Sequence, residues 1–157
     1  MNALAIREAR AADIDLLIPL MKSYWAYDGI PDFEETRIGR QLWEFFSTPA
    51  YGCGWVAESS RRVVGYLLTT FIYSFEYGGL MAEVDEFFVV EDFRHQGLGR
   101  RLLAVARGAL AARGCVNLQM QVAADNAAAR AFYSRQGFAE KQGCGLWIAP
   151  LDGAGQG

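Results

Sequence analysis

The sequence is poor in the residues that most often announce a chemistry. It holds a single histidine, His95, three cysteines and four prolines in 157 residues. One histidine and the widely spaced Cys53, Cys115 and Cys144 form no C-x-x-C pair and no zinc-type ligand set, so no metal is expected. The odd cysteine count also argues against a disulfide framework, and the thiols are expected free, buried or half-buried, in a reducing cytoplasm. No apolar run approaches the length of a membrane span, and the first residues lack the basic start and apolar core of a signal peptide. Positive charge is in deficit too. A net charge of −3, with no basic patch interleaved with aromatics, gives no reason to expect nucleic acid as a partner.

What is present is the composition of an ordinary folded protein, 52% hydrophobic and 21% charged. The length suits one domain with a sizeable core. That domain is expected over residues 1–150, with a glycine-rich tail over 151–157.

The most informative stretch runs from Glu83 to Leu103. Val84, Phe87, Phe88, Val89 and Val90 predict a strand. Leu98, Leu102, Val105, Ala106 and Ala109 repeat at helical spacing. Between them lies Arg94-His95-Gln96-Gly97-Leu98-Gly99. Two glycines allow a tight turn and a close ligand approach. The following helix aims its unpaired N–H groups and positive dipole end at that turn. Arg94 and Arg100 add charge, and the sum is an anion cradle suited to a pyrophosphate. A dinucleotide fingerprint would need glycine where Leu102 stands, and no Gly-Lys-Ser/Thr follows, so neither that motif nor a P-loop fits.

Around this stretch the chain alternates strands and helices. A first strand is expected over residues 3–9, then a helix capped by Asp13 and carrying Ile14, Leu17, Ile18, Met21 and Trp25 on one face. After a break at Gly29–Asp32, a second helix is expected over Glu34–Phe46. Strands follow over Trp55–Glu58 and Val63–Tyr73, with Gly65 marking a bulge or close backbone approach. Arg113 and Gly114 stop the central helix. Val116, Leu118, Met120 and Val122 alternate with polar residues as a half-buried strand. Asp125 or Asn126 caps a last helix running to Gln136, and Phe138–Lys141 with Gly145–Ile148 read as a closing strand pair.

Two of these segments carry a resemblance. Arg-x-Gln-Gly-x-Gly after a hydrophobic strand is similar to the acetyl-CoA-binding motif of the GNAT superfamily of N-acetyltransferases. Downstream, Asn126-Ala127-Ala128-Ala129-Arg130-Ala131-Phe132-Tyr133-Ser134-Arg135-Gln136-Gly137-Phe138 resembles that family's Asn-x-x-Ala-x-x-Phe-Tyr-x-x-x-Gly-Phe signature. The resemblance implies a mixed α/β (α+β) fold: a mostly antiparallel central sheet flanked by helices, with two central strands splayed apart. Acetyl-CoA would lie in the resulting V as co-substrate. Phe88, Val89 and Val90 would supply backbone bonds to its pantetheine. Arg94, His95, Gln96, Gly97, Leu98, Gly99 and Arg100 would hold its pyrophosphate, and Asn126 would join them.

Acetyl transfer to an amine needs a base, because an alkyl ammonium of pKa about 10.4 is no nucleophile. It also needs a donor for the oxyanion and a proton for the departing thiolate. Tyr133 matches the family tyrosine that protonates the thiolate. Glu83, Asp85 and Glu86 crowd one strand, where burying charge is costly, so they are expected to line a polar cleft. Plain alternation puts Glu83 and Asp85 on one face and Glu86 on the other, unless a bulge intervenes. Asp85-Glu86-Phe87-Phe88-Val89 also resembles the Glu-Asp-Phe-Phe-Val of spermidine/spermine acetyltransferases, with the two acids in swapped order; Asp85 and Glu86 are both candidate bases. The Tyr24–Glu35 segment holds four acids and four aromatics, which suits a cationic acceptor. Tyr27, Asp28, Glu83 and Glu76 are the candidate acceptor contacts. The expected activity is N-acetylation of a small cationic amine in a ternary complex. Acetylation of a protein N-terminus or lysine is the alternative within enzymes, and an acyl-CoA-binding module without turnover the alternative outside them. The acceptor's identity and the oligomeric state stay open, a homodimer being common in the family.

Overall fold

A computed structural model describes residues 4–151. The chain divides into two compact units, Met1–Gln121 and Val122–Gly157. The first contains a five-stranded sheet in the order β1-β2-β3-β4-β5. Strands β1 (Leu4–Glu8), β2 (Gly52–Ser59), β3 (Arg62–Ser74) and β4 (Gly79–Val89) run antiparallel to their neighbours, while β5 (Asn117–Met120) lies parallel to β4. A parallel neighbour needs a crossover, and helix α3 (Leu98–Ala112) supplies it. The fold is the mixed, mostly antiparallel α/β architecture expected from the sequence.

Helices α1 (Ile14–Asp28) and α2 (Glu35–Ser47) cover one face of the sheet. Their buried residues follow a four-residue step, Leu17 and Met21 in α1 and Ile38 and Leu42 in α2. These meet Val56, Val63, Tyr66, Leu68 and Phe88 in one core cluster. Each such aliphatic or aromatic side chain contributes about 1.5–3 kcal/mol through its burial. On the opposite face α3 packs against β2, β3 and β4 through Leu98, Leu102, Leu103, Ala106 and Leu110.

Glycine is required where β2 presses on β3. A Cβ on Gly52 would stand 1.9 Å from the Thr69 carbonyl oxygen, and one on Gly54 would stand 2.4 Å from Leu68 Cδ2. At Gly65 it would lie 3.1 Å from the Phe88 carbonyl oxygen, the close approach anticipated there. The register also slips beside it, where Ala57 pairs with Gly65 and Glu58 with Val63.

Asp13 departs from its expected role. Its side chain does not cap α1. It is buried, with Arg7 Nη1 and Nη2 donating to it at 2.9 and 2.7 Å and the Arg10 N–H at 2.9 Å. The Arg7 guanidinium holds its carboxyl below the ordinary value of 3.8. Asp13→Ala is expected to cost about 2–3 kcal/mol in denaturant unfolding near neutral pH, the scale of losing hydrogen bonds to a charged group. A carboxyl lowered by folding stabilises above its unfolded pKa, so the deficit shrinks as pH falls below 3.8.

Among its described residues the second unit contains one helix, α4 (Ala127–Arg135), capped by Asn126, whose Oδ1 accepts from the Ala129 N–H at 3.1 Å. Gly137 follows at φ 84°, the left-handed stop that glycine tolerates. The closing strand pair does not form: residues 138–141 and 145–148 have no ladder among the described residues. Their apolar residues invite a strand assignment, yet a strand exists only where a partner takes its backbone groups. Leu146, Trp147 and Ile148 are exposed instead. The strand expected over 116–122 contracts to Asn117–Met120. Of the expected tail, residues 152–157 lie outside the described residues. All three cysteines are free thiols; Cys53 is buried and Cys115 half-buried, but Cys144 is exposed. No helix among the described residues is long and apolar enough to cross a membrane.

Candidate active site

The site is built around β4. Its pairing to β5 covers only Met81 to Val84, opposite Asn117 to Met120. Its pairing to β3 continues to Val89. From Asp85 onward β4 therefore has a ladder partner on one edge only, among the described residues. Backbone polar groups on a strand point alternately to its two sides. The Val90 N–H donates to the Val64 carbonyl, so Val90 and Phe88 address the β3 side. Phe87 and Val89 then address the open edge. Among the three residues expected to bind pantetheine, only Val89 has this orientation, and Phe87 was not among them.

A bulge sits at the mouth of the opening. Val84 pairs with Thr69 and Glu86 with Leu68, leaving Asp85 as the extra residue. It corrects the plain alternation of the acids. Cross-strand partners share a face, and Thr70, Leu68 and Tyr66 alternate along β3, so Glu83, Glu86 and Phe88 all lie on the α1/α2 face. Asp85 is left at the bulge with an exposed surface.

The three acids have different environments. Glu86 is buried, its Oε1 accepting from Trp25 Nε1 at 2.7 Å and its Oε2 from the Tyr66 hydroxyl at 2.8 Å. Burial pushes its carboxyl above the ordinary 4.5, with the Trp25 and Tyr66 bonds opposing and Asp85 adding repulsion. Tyr66 is raised in turn, first by its own burial and then by the Glu86 charge, so it remains a phenol donor. Asp85 is raised by desolvation and, second, by the Glu83 charge. Glu83 accepts from Gln119 Nε2 and from Gln121 Nε2, which reach it from and just beyond β5. Trp25 and Tyr66 were absent from the sequence-derived site. Their signal was faint: a tyrosine at an inward position of an otherwise apolar strand, and a tryptophan at a helix end, each needing a partner for its polar atom once buried.

The glycine loop follows directly on β4. Glu91–Phe93 form a 3-10 turn, and Gly97, at φ 79°, leads into α3 without a side-chain cap. The Arg101 N–H bonds the Gly97 carbonyl, which leaves the Leu98, Gly99 and Arg100 N–H groups ahead of the first helical bond. Gln96 braces the turn, its Nε2 donating to the Asp92 carbonyl at 2.7 Å. His95 is exposed and holds a left-handed φ of 59°. Arg94 turns back toward β4 rather than along the loop. Its Nε donates to the Val89 carbonyl at 2.8 Å, and its guanidinium carbon lies 4.7 Å from the Tyr27 ring centre and 5.2 Å from that of Phe88.

Of the expected acceptor contacts, Tyr27 thus stacks on Arg94, and Glu83 shares a face with Glu86. Asp28, the last residue of α1, is exposed. Glu76 sits in the β3–β4 turn and is separated from the acids by the strand from Gly79 to Glu83, about 13 Å at a strand's rise. In the second unit, Tyr133 is half-buried on α4, with its ring edge-on to Phe132 at 5.1 Å and to Phe138 at 5.7 Å.

A β4 strand whose last residues have one open edge, followed by a glycine loop and an uncapped helix, suits the strand–loop–helix motif of the sequence. Residues 17–138 match the model of the acetyltransferase (GNAT) family. The chain belongs to this family. Acetyltransferases of this family take acetyl-CoA as co-substrate. An uncharacterised N-acetyltransferase of Methanocaldococcus jannaschii is 30% identical over 99 residues, which are 63% of this chain and 36% of that protein, so the chain spans about a third of that relative's length. Among solved structures, an integron cassette protein from the mobile metagenome of Cole Harbour Salt Marsh is 29% identical, with a TM-score of 0.81 over 93% of this chain and 90% of that one. The aminoglycoside N-acetyltransferase AAC(6')-Iy, solved with CoA, has a TM-score of 0.83 over 96% of this chain and 97% of that one. At 15% identity this last likeness speaks for the GNAT fold alone.

Proposed function

We propose that this GNAT chain transfers acetyl from acetyl-CoA directly to a primary amine of a small cationic molecule, both substrates being bound together. The observation that carries the reading is the continuous path from the open edge of β4, through the Arg94–Gly99 turn, to the uncapped start of α3. An extended pantetheine has amides that pair with a strand edge, and its pyrophosphate suits a helix N-terminus. The Gly97, Leu98, Gly99 and Arg100 backbone would hold the pyrophosphate, and the Val89 carbonyl faces the pantetheine path.

On the acceptor side, Asp85 takes the proton from the bound ammonium. It has the exposed surface that an incoming amine requires, whereas both oxygens of Glu86 already accept from Trp25 and Tyr66. A carboxyl held above its usual range lies closer to the pKa useful for a base at neutral pH. Glu83 and Glu86 favour a cationic acceptor by charge, with Tyr27 at the edge of the same region. The amine nitrogen forms its bond to the thioester carbonyl carbon, the C–S bond breaks, and CoA leaves as thiolate. Tyr133 donates the proton to that thiolate, and the acylated nitrogen gives its second proton to solvent, from which Tyr133 is reprotonated; the Tyr133 role rests on the match of Asn126 to Phe138 with the family signature. Free thiols throughout fit a reducing cytoplasm as the working compartment.

The test is release of CoA thiol from acetyl-CoA across polyamines, aminoglycosides, amino acids and short peptides. Turnover is expected with a small di- or polycationic amine and loss of most of it in Tyr133→Phe with donor affinity retained. Turnover only with peptides would move the acceptor to protein amines, and donor binding with no turnover on any amine would leave a binding module.

A further inference from the structure

The guanidinium of Arg94 occupies a position that the proposed donor needs. Its Nε donates to the Val89 carbonyl, which points to the open edge of β4. The same guanidinium is stacked on Tyr27, at the end of α1, and over Phe88, which is buried in the core. One side chain thus ties the last turn of α1, on the acceptor side, to the carbonyl where an extended donor would pair. The Arg94 Nε–H and a pantetheine amide approaching along the strand edge compete for the same Val89 oxygen and for the same space beside it. Breaking the bond frees the guanidinium from the geometry that sets it over Tyr27.

We propose that Arg94 is a positioning residue with two competing states, a latch that holds the Tyr27 ring until the donor's amide displaces the guanidinium from the Val89 carbonyl. The inference rests on the donor path proposed above. It couples the two substrates: donor binding releases Tyr27, and whatever holds Tyr27 against Arg94 opposes donor binding. Such coupling is reciprocal by thermodynamic necessity. Tyr27 is 71% exposed, so its replacement leaves the core intact.

The experiment is calorimetric titration of the parent, Tyr27→Leu and Tyr27→Phe with two probes. One is CoA; the other is 3′-phosphoadenosine 5′-diphosphate, the same nucleotide without the pantetheine arm. Removing the stacked ring is expected to tighten CoA two- to five-fold, the factor that corresponds to about 0.5–1 kcal/mol for an exposed cation–π contact. Tyr27→Phe, which keeps the ring, stays near the parent. The nucleotide shows the same affinity in all three proteins. Unchanged or weaker CoA binding in Tyr27→Leu overturns the latch, as does an equal gain for both probes. Failure of the parent to bind CoA at all overturns the donor path itself, a result distinct from either.

Discussion

Asp85→Asn is expected to lower kcat by about 10²–10⁴, the usual contribution of a positioned general base, while leaving CoA affinity unchanged. The bulge sets Asp85 apart from the other acids of β4. An unbroken β4 would set Asp85 in the ladder, where its backbone pairs with β3 and its side chain alternates with Glu86. The bulge removes it from the register and places it just beyond the end of the β4–β5 ladder. Partial loss of water around the carboxyl beside the strands, and then the Glu83 charge, raise it above 3.8. The base works when deprotonated, so the acid limb of kcat/KM in the parent lies above the ordinary aspartate range. Glu83→Gln removes the second cause and keeps a side chain able to bond Gln119 or Gln121. It is expected to move that limb to lower pH while activity above the limb persists. An unmoved limb would assign it to another group, Glu86 being the first to examine by the same substitution.

Glu86→Ala is expected to destabilise the fold by about 2–5 kcal/mol, measured by denaturant midpoint at unchanged m-value. Two donors, the half-buried Trp25 Nε1 and the buried Tyr66 hydroxyl, lose their acceptor at once, at about 1–3 kcal/mol each. Glu86→Gln behaves differently. Its amide oxygen still accepts from Trp25, which can only donate, and its NH2 faces a Tyr66 hydroxyl that is able to accept. The amide also carries no charge to desolvate. The sign of the pH effect follows from the raised carboxyl: the native state holds the proton more tightly than the unfolded chain. Stability linked to Glu86 is therefore full below about 4.5 and declines as pH rises through the folded-state value. Relative to the parent, Glu86→Gln gains stability on raising the pH through that window. A constant difference across pH would contradict the burial of an ionising carboxyl at this position.

The comparison of sequence with structure divides by the range of the interaction. The helices of the first unit and α4 were legible because a four-residue apolar step needs only the local chain, and because Asn126 and Gly137 mark their ends with their own chemistry. The strand–loop–helix at the centre was legible for the same reason. Features that depend on a partner were not. Asp13 reads as a cap until Arg7, on a neighbouring strand, claims it. The face of Glu86 follows from a bulge that only pairing with Leu68 and Thr69 reveals. Its two donors lie 61 and 20 residues away along the chain. Arg94 belongs to a phosphate-type motif, yet its side chain is held by Val89, Phe88 and Tyr27. The apolar residues near Trp147 look like a strand and form none, because their ladder partner is not specified by their own composition.

The central claim is that the acyl donor lies along the open edge of β4 and ends at the start of α3. Amide hydrogen exchange with and without CoA tests it most directly. Protection is predicted to appear on CoA binding at residues 85–89 and at Gly97 to Arg100, while β1 and β2 stay as they were. Binding without protection in those two segments, or with protection confined to others, would contradict the account.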